Sequence, residues 1–338
     1  MKKIKVLTGI TTSGTPHLGN YVGAIRPAIA ASHTDNVDSF YFMADLHSLI
    51  KCDDPKRVDQ STFEIAATWL ACNLNPDKVT FYRQSDVPEI SELCWILTCV
   101  TAKGLMNRAH AYKAQVQSNI ANDTGDPDKG ITMGLFSYPI LMAADILMFN
   151  AHRVPVGKDQ IQHLEMARDI AGRFNHHYGK HFVLPEAVVS EETAVLKGLD
   201  GRKMSKSYDN TIPLFVPEKK LRKLIMKIKT NSLEPGEPKD PEECALFQIF
   251  AAFASKEEIA AKHNQYAEGA GWGVLKQELF EFLNEHLKDY RNQYERLMQD
   301  INYVQEVLQK GAEKARSVAQ PLLNEVKRAV GIRPLLKV

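Results

Sequence analysis

Over its first two thirds the chain repeats one pattern: a short apolar run, a cluster of small or polar residues, then a stretch with apolar residues at helical spacing. Ile4 to Thr8, Phe40 to Ala44, Val79 to Tyr82 and Arg153 to Val156 are too short for helices. They are mostly rich in β-branched or aromatic side chains, as strands buried on both faces are. Between them, Thr62 to Leu74 has a helical period, and Asp86-Val87-Pro88-Glu89 offers an N-cap, an early-helix proline and a back-reaching glutamate. Short strands alternating with helices have one economical arrangement, a parallel sheet covered by crossover helices. The expected fold class is therefore α/β, a doubly wound parallel sheet.

From about residue 214 the strand signal fades. The remainder reads as helices broken by Glu234-Pro235-Gly236-Glu237-Pro238 and by Gly269, Gly271 and Gly273. A chain of 338 residues has room for two domains. The composition shift divides it into 1–212, the α/β part, and 213–338, an all-helical domain whose last helix can pack back on the first. Val274 to Met298 repeats apolar residues every three or four positions and predicts one long amphipathic helix. Gln117 to Gly130 is rich in turn formers and predicts a mobile surface loop. Lys and Arg total 42 against 41 Asp and Glu, a net charge of +1, which excludes a protein that coats nucleic acid by bulk charge. A local basic patch does occur, at Lys219, Lys220, Arg222, Lys223, Lys227 and Lys229. The five cysteines show no metal-ligand or disulfide spacing and are expected as reduced thiols. A start too poor in apolar residues for a signal peptide, and the lack of any apolar run of about 18 residues, imply the cytoplasm and no membrane.

Three segments carry chemistry. The first, Gly9-Ile10-Thr11-Thr12-Ser13-Gly14-Thr15-Pro16-His17-Leu18-Gly19-Asn20, follows the first strand. Small hydroxyl residues and glycines leading into a helix present backbone N–H groups to an anion. His17 and Asn20, three apart, share a face at the first turn, although Pro27 should kink or interrupt a helix running on from there. In the second segment, a helix over 134–150 places Tyr138, Met142, Asp145 and Phe149 on one face. An aspartate amid apolar neighbours is costly unless something pairs with it. Either a ligand N–H or another part of the protein would serve. This segment runs on into Gly157-Lys158-Asp159-Gln160, at the carboxyl end of a strand, where open α/β sheets bind ligands. The nearby His163, His176 and His177 lack metal-ligand spacing. In the third segment, Gly201-Arg202-Lys203-Met204-Ser205-Lys206-Ser207, two lysines amid small residues form a loop whose ammonium groups can follow charge moving between phosphates.

His17-Leu18-Gly19-Asn20 resembles the HIGH signature, and Lys203-Met204-Ser205-Lys206-Ser207 the KMSKS signature, of class I aminoacyl-tRNA synthetases with their Rossmann-like catalytic domain. Tyr138-Pro139, Leu141 to Leu147 and Val154 to Gln160 are similar to the bacterial tryptophanyl-tRNA synthetases. That resemblance implies a ligase that activates L-tryptophan with ATP, with Mg²⁺ on the phosphates, then loads it onto tRNA(Trp), and that works as a homodimer. His17, Asn20, Lys203 and Lys206 would be catalytic. ATP would lie on Thr11, Thr12, Ser13, Gly19, Asn20, Gly157, Lys158, Asp159, Val195, Lys203, Met204, Ser205, Lys206 and Ser207. Tryptophan would contact Leu7, Tyr138, Met142, Asp145 and Gln160, with Asp145 accepting the indole N–H. No resident metal is implied, and the helical domain would read the anticodon.

Two alternatives stay open on sequence grounds, a tyrosyl-tRNA synthetase and a catalytically silent RNA-binding paralogue. Tyrosyl enzymes share an aspartate at the position of Asp145 but usually carry glutamine at that of Met142, where a thioether packs better against an indole. The chain departs from the tryptophanyl pattern at Thr11-Thr12, where Gln-Pro is common, and at Lys158, where glutamate is common.

Overall fold

Five strands, all parallel, form one sheet: β1 (Ile4–Thr11), β2 (Val37–Ala44), β3 (Thr80–Arg83), β4 (Arg153–Pro155) and β5 (Glu186–Val188). A computed structural model describes residues 3–12, 14–189 and 196–333. The spatial order is β3-β2-β1-β4-β5, with Leu7 opposite Phe40 and Thr11 opposite Ala44. The strand order therefore reverses direction at β1, and the crevice beyond the carboxyl ends of β1 and β4 is the topological switch point. Four strands lie on the apolar runs of the sequence. The fifth has three exposed residues at the sheet edge, so no hydrophobic pattern marks it.

Helices connect the strands: α1 (Leu18–Asn20), α2 (Arg26–Ser32), α3 (Asp45–Ser48), α4 (Pro55–Ala71), α5 (Pro88–Val100), α6 (Lys103–Met106), α7 (His110–Ala121), α8 (Met133–Met148) and α9 (Ile161–Tyr178). Pro27 does not break the run from Leu18. The chain widens into a π turn over Tyr21–Ile25, and the proline then falls at the start of α2, where its missing N–H is tolerated. Asp86 is not the cap of α5. Val87 takes that position, and Asp86 is held by Arg83 at 2.7 Å. The stretch expected as a mobile loop begins inside α7, which runs to Ala121. Asn119 then pins the following turn by donating to the Pro127 and Lys129 carbonyls at 2.8 and 2.9 Å.

Beyond β5 the described residues form only helices and loops: α10 (Glu218–Met226), α11 (Ala245–Ala251), α12 (Lys256–Ala267), α13 (Trp272–His286), α14 (Lys288–Gln299) and α15 (Ile301–Ala329). The single helix expected over Val274 to Met298 is two, parted at Leu287. Arg291 of α14 supplies a reason, since its guanidinium donates to the Asn284 carbonyl and side chain and so satisfies the end of α13.

Two hydrophobic cores flank the sheet. One runs from Tyr41, Trp69 and Phe81 without a gap into Leu283 and Val304; the other gathers Leu7, Phe40, Tyr82, Ala144 and Phe174. α15 joins both, through Val304 and Leu308 on one side and Ala315, Leu323 and Val326 on the other, each large apolar side chain contributing roughly 1.5–3 kcal/mol on burial. It lies across the open edge of β3. Gly311 makes that possible, because a Cβ there would overlap the Phe81 carbonyl. The covered edge cannot pair with a foreign strand.

Candidate active site

The loop after β1 enters α1 through His17. Its Nδ1 accepts the Asn20 backbone N–H at 3.3 Å while Asn20 Oδ1 accepts the His17 N–H at 3.1 Å, a reciprocal cap. Burial, with Lys206 nearby as the second cause, lowers the His17 pKa to about 4. The ring is thus neutral near pH 7, and because Nδ1 accepts, its proton sits on Nε2 as a donor. Gly19 lets the imidazole lie close, for a Cβ there would be 3.1 Å from the ring.

The basic loop comes back to meet this segment. Leu18 donates to the Ile212 carbonyl at 3.0 Å and Leu214 to the Pro16 carbonyl at 3.0 Å, so the chain just after the loop is stitched to the first helix turn. Met204 is buried in the core, 3.7 Å from where a Gly19 Cβ would stand, and anchors the loop. Its flanks are solvent-facing: Lys203, Lys206 and Ser207 are exposed, and Ser205 Oγ lies 2.9 Å from Ser207 Oγ. Buried Asn210 holds the turn by donating to the Lys203 carbonyl and accepting from the Ser205 N–H at 2.8 Å. The Lys206 ammonium lies beside Gly14. Although the side chain keeps solvent contact, crowding by the protein and then the charge of Arg57 lower its pKa to about 8.

Beside this, Asp145 of α8 is buried at 1% exposure. His47 of α3 approaches its Oδ2 at 2.9 Å, and Gln84, just past β3, donates to Oδ1 at 2.8 Å and Oδ2 at 3.0 Å. Burial raises the Asp145 carboxyl above the usual carboxylate range, and the bonds from His47 and Gln84 pull the other way. Oδ1 retains a lone pair for a further donor. Tyr138 and Met142, half-buried, stand two turns and one turn before Asp145 on α8. Tyr138 OH bonds His163 Nε2 at 2.6 Å, so His163, buried, is a structural partner of that wall. Phe149, at the end of the face read from the sequence, is stacked on Phe40 in the core.

The structure thus brings together most of the residues singled out from the sequence, with differences in what each can offer. Thr11 is exposed at the end of β1, whereas Thr12 is sealed in with its hydroxyl donated to Ser48 at 3.1 Å, so only its backbone faces the loop. Gly157, Lys158 and Asp159 are exposed at the end of β4, Asp159 accepting from Gln160 at 2.8 Å. Leu7 sits in the core beneath α8. Ser13 and Val195 lie outside the described residues. Sequence reasoning missed His47, Gln84, Asn210 and a cluster of Thr15, Arg57, Gln60 and Glu64. The need of a buried Asp145 for partners was visible, but not their identity.

A neutral histidine and a lysine loop meeting at the turn after β1, with a buried carboxylate held from the ends of β2 and β3, lie where open α/β sheets bind ligands and suit a nucleotide-dependent enzyme that also selects a small ligand. The chain belongs to the class I tRNA synthetases for tryptophan and tyrosine, whose family model matches residues 1–288. A tryptophan–tRNA ligase of Neisseria meningitidis is 59% identical over 335 residues, 99% of this chain and all of that protein. One from Pseudomonas aeruginosa is 59% identical over 98% of this chain and 74% of its own length. The crystal structure of tryptophanyl-tRNA synthetase from Campylobacter jejuni complexed with ADP and tryptophan superposes with a TM-score of 0.88 at 42% identity, over 97% of this chain and 100% of that one. A tyrosyl-tRNA synthetase from Archaeoglobus fulgidus, at 17% identity and TM-score 0.63, shares the fold alone.

Proposed function

We infer that the chain is a tryptophan–tRNA ligase. It activates L-tryptophan with ATP to tryptophanyl-adenylate and pyrophosphate, then transfers the amino acid to the 3′ end of tRNA(Trp). The observation that carries this reading is the meeting of the His17 and Lys206 segments around Gly14, beside a buried carboxylate with one lone pair to spare. ATP lies between the two segments, with His17 donating through Nε2, the backbone N–H groups of Thr11, Thr12 and Gly14 facing the phosphates, and Gly157 to Asp159 on the ribose side. Asp145 accepts the indole N–H, with Tyr138 and Met142 along the ring. The tryptophan carboxylate attacks the α-phosphorus in line, and Lys203 and Lys206 stabilise the leaving pyrophosphate. No covalent enzyme nucleophile is involved, so catalysis is positioning and electrostatics.

Among the described residues no cluster of three acidic, histidine or cysteine side chains forms a metal cage. Mg²⁺ suits such a site, because it keeps its waters and is held mainly by substrate phosphates, whose charge it partly neutralises. The exposed lysines of α10 and the helices after it receive the tRNA anticodon. A homodimer is supported by Trp95, 70% exposed on α5 beside exposed Cys99. Trp95→Glu is expected to shift the mass in light scattering to that of one chain. None of the described helices is long and apolar enough to cross a membrane, and we place the enzyme in the cytoplasm.

The deciding experiment is ATP–pyrophosphate exchange with a panel of amino acids. Tryptophan alone should support it. Exchange driven by tyrosine, or by none, would overturn the reading.

A further inference from the structure

The first loop and α4 hold a cluster for which the reading above has no use. Thr15 donates its hydroxyl to Glu64 Oε2 at 2.8 Å, and Gln60 donates to Glu64 Oε1 at 2.7 Å. Arg57, in the first turn of α4, donates through Nη2 to Thr15 Oγ1 at 3.0 Å and reaches Glu64 Oε2 only at 3.5 Å. The buried carboxylate is therefore already satisfied by two neutral donors. A guanidinium has five N–H groups, and among the described residues this one makes only those two bonds, the ionic one long. Its side chain remains 30% exposed.

The guanidinium instead flanks the phosphate loop. A Cβ built on Gly14 would lie 3.3 Å from Arg57 Nη2 and 3.2 Å from Lys206 Nζ. Gly14 has a φ of +152°, which L side chains rarely adopt, so residue type and backbone both keep this point open to the two cations. Two positive groups at one point, with one committed carboxylate behind them, repel each other, and the Lys206 pKa falls, first through desolvation and then through the Arg57 charge. Such a pair is relieved by a ligand with several anionic oxygens. A planar fork beside a point charge matches adjacent phosphoryl groups better than two ammonium groups would.

We propose that Arg57 is a substrate-binding residue, gripping the β- and γ-phosphates of ATP opposite Lys206 and retaining them as pyrophosphate. This rests on the ligase reading and extends its phosphate site to α4. As a carboxylate oxygen of the amino acid bonds to the α-phosphorus, the bond from that phosphorus to the bridging oxygen breaks. The electron pair stays on pyrophosphate, and the added charge faces Arg57 and Lys206. Glu64, Thr15 and Gln60 position the guanidinium without neutralising it.

The test uses the full chain and inorganic pyrophosphate as the probe, with affinity measured by calorimetry and turnover by exchange. Arg57→Gln should weaken pyrophosphate binding about ten- to a hundredfold, the range for a charged hydrogen bond, with the KM for tryptophan unchanged. Arg57→Lys should restore part of the loss, and Glu64→Gln, which keeps the guanidinium, should retain pyrophosphate affinity. Equal losses in Arg57→Gln and Glu64→Gln would overturn the proposal, since Arg57 would then act only through Glu64. Wild-type pyrophosphate affinity in Arg57→Gln, with affinity lost in Lys206→Ala, would overturn it while leaving the ligase reading intact. Unchanged exchange and affinity in Lys206→Ala would remove the whole phosphate site from this crevice.

Discussion

The lowered pKa of Lys206 makes the activation step titrate where lysine chemistry ordinarily does not. Crowding by the protein and the neighbouring Arg57 charge set that pKa at about 8 in the free enzyme. kcat/KM for ATP reports the free enzyme's essential groups. If the ammonium form is required, the competent fraction is about nine tenths at pH 7 and about one tenth at pH 9, so kcat/KM should fall roughly tenfold over that interval. At saturating ATP the bound phosphates favour the charged lysine, and the limb in kcat should move to higher pH. The assay is adenylate formation followed as pyrophosphate release at limiting and saturating ATP from pH 6.5 to 9.5. Lys206→Arg is the control, because a guanidinium stays charged throughout while the ionisations of both substrates are unchanged. Its kcat/KM should be lower but flat above pH 8. A wild-type profile flat to pH 9, or the same limb in Lys206→Arg, would refute the assignment of Lys206 as the titrating cation.

Three further outcomes follow from named contacts. Asp145→Asn should raise the Kd for tryptophan at least about tenfold by removing a charged acceptor, with the near-ultraviolet spectrum preserved; unchanged affinity in the folded variant would take Asp145 out of the pocket. Since the folded-state pKa of His17 is about 4 against an ordinary 6.5, the unfolded chain binds more protons below pH 6.5 and stability drops as pH falls from there toward 4. Between pH 7 and 4.5 the cost from this group is about 2.5 kcal/mol. His17→Gln should show that much less acid destabilisation in urea titrations, and parallel curves would contradict the burial argument. Gly311→Ala should destabilise by at least about 2 kcal/mol, because the added methyl meets backbone rather than a yielding side chain; a shift under about 0.5 kcal/mol would mean that α15 lifts off β3 freely.

What the sequence disclosed of the fold tracks how each element is stabilised. β1, β2 and β3 lie in or beside the cores, and their apolar runs announced them. β5 pairs through its backbone with β4, leaves its side chains exposed, and so left no pattern. The break between α13 and α14 was hidden for a related reason. The apolar period runs unbroken through Leu283, Leu287, Tyr290 and Tyr294, and the end of α13 is satisfied by a side-chain contact from Arg291 that no hydrophobic pattern records. The π turn that accommodates Pro27 is likewise a property of the packed chain, since sequence rules state only that an α-helix cannot hold that residue unaltered.

The site divides along the same line, and the division says something about how it works. The residues proposed to face the reactants (His17, Asn20, Lys206, Asp145) stood out because each is chemically odd for its local pattern. Those that hold them did not: His47 and Gln84 come from the ends of β2 and β3, Asn210 from beyond the basic loop, Glu64 from an ordinary-looking helix. His47 and Gln84 lie 98 and 61 positions from the carboxylate they hold, so no local spacing rule could have paired them, whereas Glu64 is 7 positions from Arg57 and Asn210 5 from Ser205. In energetic terms these supporting contacts do the costlier task. A charged Asp145 would be costly to bury in an apolar wall without His47 and Gln84, and the Arg57 guanidinium would lose its place beside Gly14 without Glu64 and Thr15. The groups proposed for the chemistry are therefore held by contacts that form only when the ends of β1, β2 and β3 are assembled with α4 and α8, which ties the proposed chemistry to the folded sheet rather than to the two signatures by themselves.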